Sequence, residues 1–275
     1  DLHLSIRRQR QMCIRDRIDL QAYEKQAGVD LSKYVSYRFF YTSDDLKIEA
    51  FLSAPIDLLG KKKSPCLIYN HGGNRSYGAL KNVETTYYAY QFHTICVASN
   101  YRGCGKSEGT DAFGGDDVHD VIHLLDLCEK LDSVDTKNIN MLGVSRGGMM
   151  TYETLREDRR IHKAVVVAGV ADCTMNYEER EDMRSLLTEL IGGTPEQLPE
   201  EYSRRSAVEW ADEINTPLLV FHTTGDDKVS IKQVDKLVKQ LKKYQKDYEY
   251  VTFESNIHGD LRKTDVEKIR KWLQT

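Results

Sequence analysis

Ser145 lies in Gly143-Val144-Ser145-Arg146-Gly147-Gly148, where an apolar run ends and a helix-forming run begins. Gly-x-Ser-x-Gly between a strand and a helix describes a sharp turn, a nucleophile elbow, that presents a serine hydroxyl from a strained backbone. Both flanking residues must lack a side chain for the turn to close. The chemistry this suits is nucleophilic attack on a carbonyl carbon. The plainer reading is a glycine-rich turn that happens to hold a serine, because pentapeptides recur by chance. A serine hydroxyl is a poor nucleophile until a histidine takes its proton and a carboxylate orients that histidine, so the remaining chain must supply both. Asp226 follows the apolar run Pro217-Leu218-Leu219-Val220-Phe221-His222 on the loop Thr223-Thr224-Gly225-Asp226-Asp227-Lys228-Val229, with Asp227 as the fallback orienter. His258, the candidate general base, follows the alternating run Tyr248-Glu249-Tyr250-Val251-Thr252-Phe253 in Glu254-Ser255-Asn256-Ile257-His258-Gly259-Asp260.

Acyl transfer also needs N–H donors aimed at the oxyanion of the tetrahedral intermediate, each worth about 3 kcal/mol of barrier. The backbone N–H of Arg146, next after the nucleophile, is one candidate. The second is expected on the loop after an early strand, and Cys66-Leu67-Ile68-Tyr69-Asn70-His71-Gly72-Gly73 is an apolar run ending in such a loop. Gly72 is the preferred donor and Gly73 the next; His71, a loop histidine beside glycines, reads as structural.

The elements that must position these residues alternate as in a doubly wound α/β sheet. Strand-like runs fall near 34–42, 46–53, 65–70, 94–100, 138–143, 163–169, 217–222 and 248–254, separated after an opening hairpin mostly by helical patterns. One helix begins at Val118, with Asp116 and Asp117 placed to cap its N-terminus and complement its dipole. His119 and His123 on that helix are four apart and could share a metal, but no third ligand and no HExxH pattern accompany them, so no metal site is expected. Between Asp172 and Ile214 the sequence is charged, helical and without a strand, which reads as a small excursion over the strand ends, lining the substrate pocket. No internal repeat or low-complexity tract occurs.

Taken together, these segments resemble the catalytic domain of the prolyl oligopeptidase family of serine peptidases, within the α/β-hydrolase superfamily. The resemblance covers most of the chain after about Tyr34. It rests on the entry strand Leu46-Lys47-Ile48-Glu49-Ala50-Phe51-Leu52, on His71-Gly72-Gly73, on Asn100-Tyr101-Arg102-Gly103 and on Gly143 to Gly148. Ser203-Arg204-Arg205-Ser206-Ala207 and the Asp226 and His258 loops complete it. The order Ser, Asp, His along the chain is that of the superfamily. The resemblance implies a mostly parallel sheet with helices on both faces and serine peptidase activity on short peptides. Carboxylic-ester hydrolysis is the alternative, and a non-catalytic binding protein of the same fold the remote one. Two departures stand out: His71 occupies the place where some members carry an oxyanion-binding tyrosine, and the propeller that precedes the domain in large members is not in this sequence.

At 275 residues with 40% hydrophobic content, the chain can bury one sizeable α/β core, expected as a single domain over 18–275. Residues 1–17 differ from the rest. They have no starting methionine and little apolar periodicity, and they resemble translated adapter sequence, so they are expected to be a non-native or disordered leader. Their five arginines and two aspartates carry +3, and the overall charge of −4 leaves −7 on the remainder. That acidity argues against nucleic acid or an anionic membrane as partner. No stretch of about 20 apolar residues and no signal peptide is visible, so a cytoplasmic location is the default. The six cysteines form no CxxC and predict no disulfide framework. Asn100-Tyr101-Arg102-Gly103-Cys104-Gly105-Lys106-Ser107 ends like a phosphate-binding loop. Its first glycine is replaced by Asn100, however, and no helix starts after Ser107, which argues against nucleotide binding. The expected partner is a small peptide or ester substrate, with no cofactor.

Overall fold

The computed structural model describes residues 12–275 except 22, 23, 26, 27 and 61. The chain clusters into two compact units. Among the described residues, the first comprises those within 12–69, 75–110 and 119–140, the second 70–74, 111–118 and 141–275. Of the leader expected over 1–17, residues 1–11 lie outside the described residues, and 12–17 are described as a strand.

In the first unit, β1 (Met12–Arg17), β2 (Tyr34–Ser43) and β3 (Leu46–Pro55) are antiparallel neighbours. The β2–β3 turn is made by Asp44 and Asp45 at φ 46° and 65°. A two-residue hairpin that follows the sheet twist requires left-handed backbone at both positions, and aspartate tolerates it better than most residues. β4 (Ser64–Asn70) continues through α1 (Asn82–Phe92) into β5 (Ile95–Ser99), which lies parallel to β4 and antiparallel to β3, giving the order β1-β2-β3-β5-β4. Parallel neighbours cannot be joined by a tight turn, so the chain crosses over through the helix. Every residue of β5 is buried, which is why it reads as a continuous apolar run and not as an alternation. α2 (Val118–Glu129) buries Val118, Val121, Leu125 and Cys128, one per turn.

β6 (Val134–Val144) starts four residues earlier than the expected 138. Asp135, Thr136 and Lys137 are half-buried or exposed, so strand pairing begins in a polar stretch that carries no hydrophobic signal. In the second unit β6, β7 (Ala164–Val167), β8 (Leu218–Thr223) and β9 (Tyr248–Phe253) run parallel in that order. Their connections carry α3 (Arg146–Glu157), then α4 (Cys173–Glu179), α5 (Glu181–Ile191) and α6 (Pro199–Arg204), then α7 (Ile231–Lys243), with α8 (Lys263–Gln274) after β9. The segment 172–214 is helical without a strand. Its apolar face, including Leu187, Leu190 and Tyr202, packs with Phe113, Met149 and Val170 in one buried cluster.

The β6-to-α3 turn is closed by absent side chains. A Cβ on Gly143 would lie 2.1 Å from the Gly147 carbonyl oxygen, and one on Gly147 would lie 1.9 Å from the Asn70 carbonyl oxygen. Both obstacles are backbone, so neither can swing away. Gly147→Ala should therefore lower the unfolding temperature by about 6 °C or more. Gly60→Ala, where a Cβ meets nothing within 4 Å, should leave it nearly unchanged. Thermal unfolding followed by circular dichroism separates the two; equal midpoints would contradict the close packing of the elbow.

Candidate active site

Ser145 lies between the last residue of β6 and the first residue of α3, with φ 60° and ψ −126°. This is a left-handed conformation that costs a residue with a Cβ on the order of 1–3 kcal/mol, and the contacts around it must hold it there. They do so from both sides: the Ser145 N–H donates to Val167 O at 3.0 Å, and its carbonyl accepts from Gly148 N at 2.9 Å and from Val170 N at 3.3 Å. The loop after β4 comes alongside. A Cβ on Gly72 would sit 3.0 Å from Ser145 Cβ and 3.5 Å from its Oγ, so the loop backbone borders the serine hydroxyl without a side chain between them. His71 is buried, with Nδ1 2.7 Å from the Gly72 carbonyl, consistent with a structural place in the loop.

Asp226 stands on the loop after β8. Its Oδ1 accepts from Lys228 N at 2.9 Å and Val229 N at 3.0 Å, and its carboxylate meets His258 Nδ1 at 2.8 Å through Oδ2 and 3.0 Å through Oδ1. Burial pushes the Asp226 carboxyl up, but the hydrogen bonds from His258 and the two backbone amides outweigh it and hold the group below the ordinary carboxylate range. The Asp226 side chain is fully buried, whereas His258 keeps 24% of its side chain exposed. With Nδ1 directed at the carboxylate, the imidazole turns Nε2 away from it, which is the orientation a general base needs. Asp227, the fallback, is 69% exposed and pairs with Lys228 at 3.3 Å, so the geometry separates the two aspartates.

The Asp226 and His258 loops are joined along their length. Thr224 N donates to Phe253 O and Gly225 N to Ser255 O, both at 3.0 Å, and Thr223 Oγ1 donates to Ile257 O at 3.2 Å. A Cβ on Gly225 would come 2.0 Å from Asn256 Oδ1. Beyond His258, a Cβ on Gly259 would lie 3.4 Å from Val144 Cγ1, in ordinary contact with the residue before the serine. Three segments that are 32 to 113 positions apart in the sequence thus converge on the strand ends of one unit.

A model of the prolyl oligopeptidase family matches residues 82–275. The chain belongs to that family. It is a serine hydrolase of the peptidase S9 type. It is similar to uncharacterized peptidase YtmA of Bacillus subtilis (strain 168), with 29% identity over 91% of this chain and 98% of that protein. It is also similar to uncharacterized peptidase YuxL of the same organism, with 27% identity over 80% of this chain and 35% of that protein. Among solved structures, the acylaminoacyl peptidase of Pyrococcus horikoshii superposes with a TM-score of 0.75 at 20% identity, covering 93% of this chain and 42% of that one. The chain thus spans nearly all of the first relative and about a third of the second. The structural likeness identifies the α/β-hydrolase fold.

Sequence reasoning missed two side chains in this prolyl oligopeptidase family member. His222, one residue before the end of β8, is buried, its Nε2 2.8 Å from Val229 O and 3.7 Å from Asp226 Oδ2. Burial lowers its pKa more than its neighbours raise it, so it stays neutral and donates to the Val229 carbonyl beneath the Asp226 loop. The signal was a histidine closing an apolar strand four residues before the aspartate. The second is the Arg146 guanidinium, 1% exposed, which pairs with Asp111 and Asp117. The cap expected from Asp117 is corrected accordingly. Its carboxylate accepts from Gly114 N at 2.9 Å and from Arg146, closing the 3-10 turn before α2, because a buried cation holds a carboxylate more strongly than a helix end does. Asp116 pairs instead with Arg204 at 3.0 Å.

The other candidates resolve locally. In the Gly105-Lys106-Ser107 loop, Lys106 N donates to Glu49 Oε2 at 3.0 Å and Ser107 N to Cys104 O at 2.9 Å, so amides that would cradle a phosphate are already bound. His119 Nδ1 lies 2.7 Å from Asp44 and His123 Nδ1 2.9 Å from Ser43 Oγ. Among the described residues, no group of three or more His, Cys, Asp or Glu could hold a metal ion. The five cysteines whose side chains are described are buried thiols. No described helix is long and apolar enough to cross a membrane.

Glu153 on α3 is fully enclosed, and its Oε1 accepts from Gly115 N at 3.1 Å. Burial pushes its carboxyl up to about 8, against the pull of Arg205. A carboxyl with a raised folded-state pKa costs stability as pH climbs from the ordinary carboxylate range to its folded value, because the unfolded chain ionises first. Glu153→Gln cannot ionise, so its stability relative to wild type should rise by at least about 1 kcal/mol between pH 5 and pH 8 in urea unfolding. A difference that is the same at both pH values would contradict the raised pKa.

Proposed function

We propose that the chain hydrolyses peptide bonds of short peptides through an acyl-enzyme, with Ser145 as nucleophile, His258 as general base and Asp226 as the orienter of the imidazole. The observation that carries this reading is the buried Asp226 carboxylate on Nδ1 of a partly exposed His258, on a loop where a Cβ added at Gly259 would meet the residue before a strained serine. In the first step Ser145 Oγ bonds to the carbonyl carbon while its proton passes to His258 Nε2. The carbonyl oxygen becomes an oxyanion facing the N–H groups of Arg146 and Gly72, with Gly73 adjoining. Collapse of the tetrahedral intermediate breaks the C–N bond, and the leaving amine takes the proton from His258. Water, deprotonated by the same histidine, then hydrolyses the ester to Ser145. The proton that leaves on the amine is replaced by one from water, which His258 returns to Ser145 Oγ as the acyl C–O bond breaks, so the cycle closes without a cofactor. The helical segment 172–214 is the part of the chain assigned to substrate contact, because its apolar face is continuous with Met149 on the helix behind the nucleophile.

The test is kcat/KM on an aminoacyl p-nitroanilide and its matched p-nitrophenyl ester. Ser145→Ala and His258→Ala should each lose roughly 10⁴-fold or more on both substrates, since members of a triad act as a unit. Asp226→Asn should lose nearly as much, and Asp227→Asn little. Ester turnover without amide turnover would replace the peptidase reading with an esterase, and wild-type turnover by Ser145→Ala would remove the serine from the mechanism.

A further inference from the structure

The Arg146 side chain occupies an electrostatically poor place. It is the first residue of α3, where the exposed N–H groups of a helix carry partial positive charge and disfavour a cation. It is also 1% exposed, and burying a guanidinium is costly unless every donor finds an acceptor. What offsets both costs is a set of directed contacts. Nη1 donates to Asp111 Oδ2 at 2.9 Å and Nη2 reaches Asp111 Oδ1 at 2.8 Å, a two-pronged fork on one carboxylate. Nη2 also donates to Asp117 Oδ2 at 2.5 Å, and the Phe113 ring lies 5.1 Å from the guanidinium carbon. The remaining contact points elsewhere: Nη1 donates to the carbonyl oxygen of Gly73 at 3.1 Å.

That last bond ties together two parts encoded 73 residues apart. The N–H of Arg146 is one candidate oxyanion donor, and Gly72 and Gly73 carry the other. Gly73 is in the left-handed region at φ 80°, a conformation with no side chain to restrain it, so its carbonyl is fixed by what it bonds. A lysine in place of Arg146 could keep the charge but not the fork, because an ammonium is a point donor without a planar pair of prongs. Oxyanion donors work within about 2.7–3.1 Å of the developing charge, and misplacement by about 1 Å forfeits much of their effect.

We propose that the Arg146 guanidinium is a positioning residue for the oxyanion hole: anchored by Asp111 and Asp117, it fixes the distance between the donor on the nucleophile elbow and the donor on the Gly72–Gly73 loop. This rests on the assignment of Ser145 as nucleophile. The residue after the serine then serves twice, its main-chain N–H facing the oxyanion and its side chain holding the opposing loop in register.

The test is steady-state kinetics of Arg146→Lys on a p-nitrophenyl ester, together with the affinity of a peptide boronic acid, whose tetrahedral serine adduct places an oxygen where the oxyanion forms. The variant is expected to lose roughly 30- to 300-fold in kcat with KM within about threefold of wild type, and to lose boronate affinity in parallel. Asp117→Asn, which keeps the shape of the anchor and weakens one contact, should show the same signature at roughly 3- to 10-fold and keeps the test open if Arg146→Lys does not fold. A folded Arg146→Lys or Asp117→Asn with wild-type kcat and boronate affinity would overturn the proposal. So would a fall confined to KM, or a fall in kcat with boronate binding intact. Ser145→Ala run alongside separates the two readings. Turnover that survives in Ser145→Ala defeats the nucleophile assignment itself, whereas Ser145-dependent turnover that ignores Arg146→Lys defeats this inference alone.

Discussion

Everything at the candidate site depends on how closely three backbones approach at the end of β6. The Gly143–Gly147 turn leaves no room for a Cβ, the Asn70 carbonyl closes over Gly147, and Gly72 borders Ser145 so closely that a Cβ there would lie 3.0 Å from the serine Cβ. That contact holds Ser145 at a positive φ, since a strained residue persists only where its surroundings over-determine it. It also sets the loop after β4 beside the serine hydroxyl. Backbone obstacles cannot rotate away as side chains can, so the position of Ser145 follows from this packing together with the hydrogen bonds of its own N–H and carbonyl. The parallel arrangement of β6, β7 and β8 then delivers the Asp226 loop to the same end of the sheet, because parallel strands all finish on one side.

Charge is distributed to complement this geometry. Asp226 is kept ionised by the hydrogen bonds it accepts, and His222 beneath it is kept neutral by burial. The Asp226 carboxylate therefore faces the His258 imidazole on one side and a neutral His222 on the other. On the other side of the serine, a buried arginine and two aspartates bind residues 111–117 to the start of α3. Arg205 reinforces the same segment through the carbonyls of Ala112 and Phe113, both at 3.1 Å. Buried ion pairs add little net stability, but they enforce one arrangement, because breaking them strands a charge in a low dielectric. A site that must hold donors to within fractions of an ångström gains more from that specificity than from the same volume of apolar packing.

The sequence carried the parts of this design that have local signatures. Gly143 and Gly147 flanking Ser145, the apolar run before Asp226 and the alternating run before His258 each follow from short-range rules, and the strands lie within a few residues of where periodicity puts them. β1, in residues expected as a leader, and β6 were the exceptions; in β6, Asp135 to Lys137 belong to the strand while half-buried or exposed, and extended backbone there leaves no trace in hydrophobicity. Asp226 and Asp227 are adjacent and chemically alike, and their separation came from burial, which depends on the tertiary contacts of the whole loop. The roles of Arg146 and Asp117 were beyond reach for the same reason. An arginine at a helix start and an aspartate before another helix each have a sensible local reading, and the pairing of the two across 29 positions overrides both. His222 sat in plain view as the end of a strand, its contact with the Val229 carbonyl set by the turn of the loop.

The central claim is that Ser145 is activated by His258 and Asp226 acting together. The most direct test is the rate and site of labelling by a fluorophosphonate, which reacts with an activated serine and needs no knowledge of the natural substrate. The account predicts one adduct per chain, mapped by peptide mass spectrometry to the peptide holding Ser145, with labelling slowed by orders of magnitude in His258→Ala and in Asp226→Asn. A folded wild-type protein that stays unlabelled, or a Ser145 adduct that forms equally fast without His258, would contradict it.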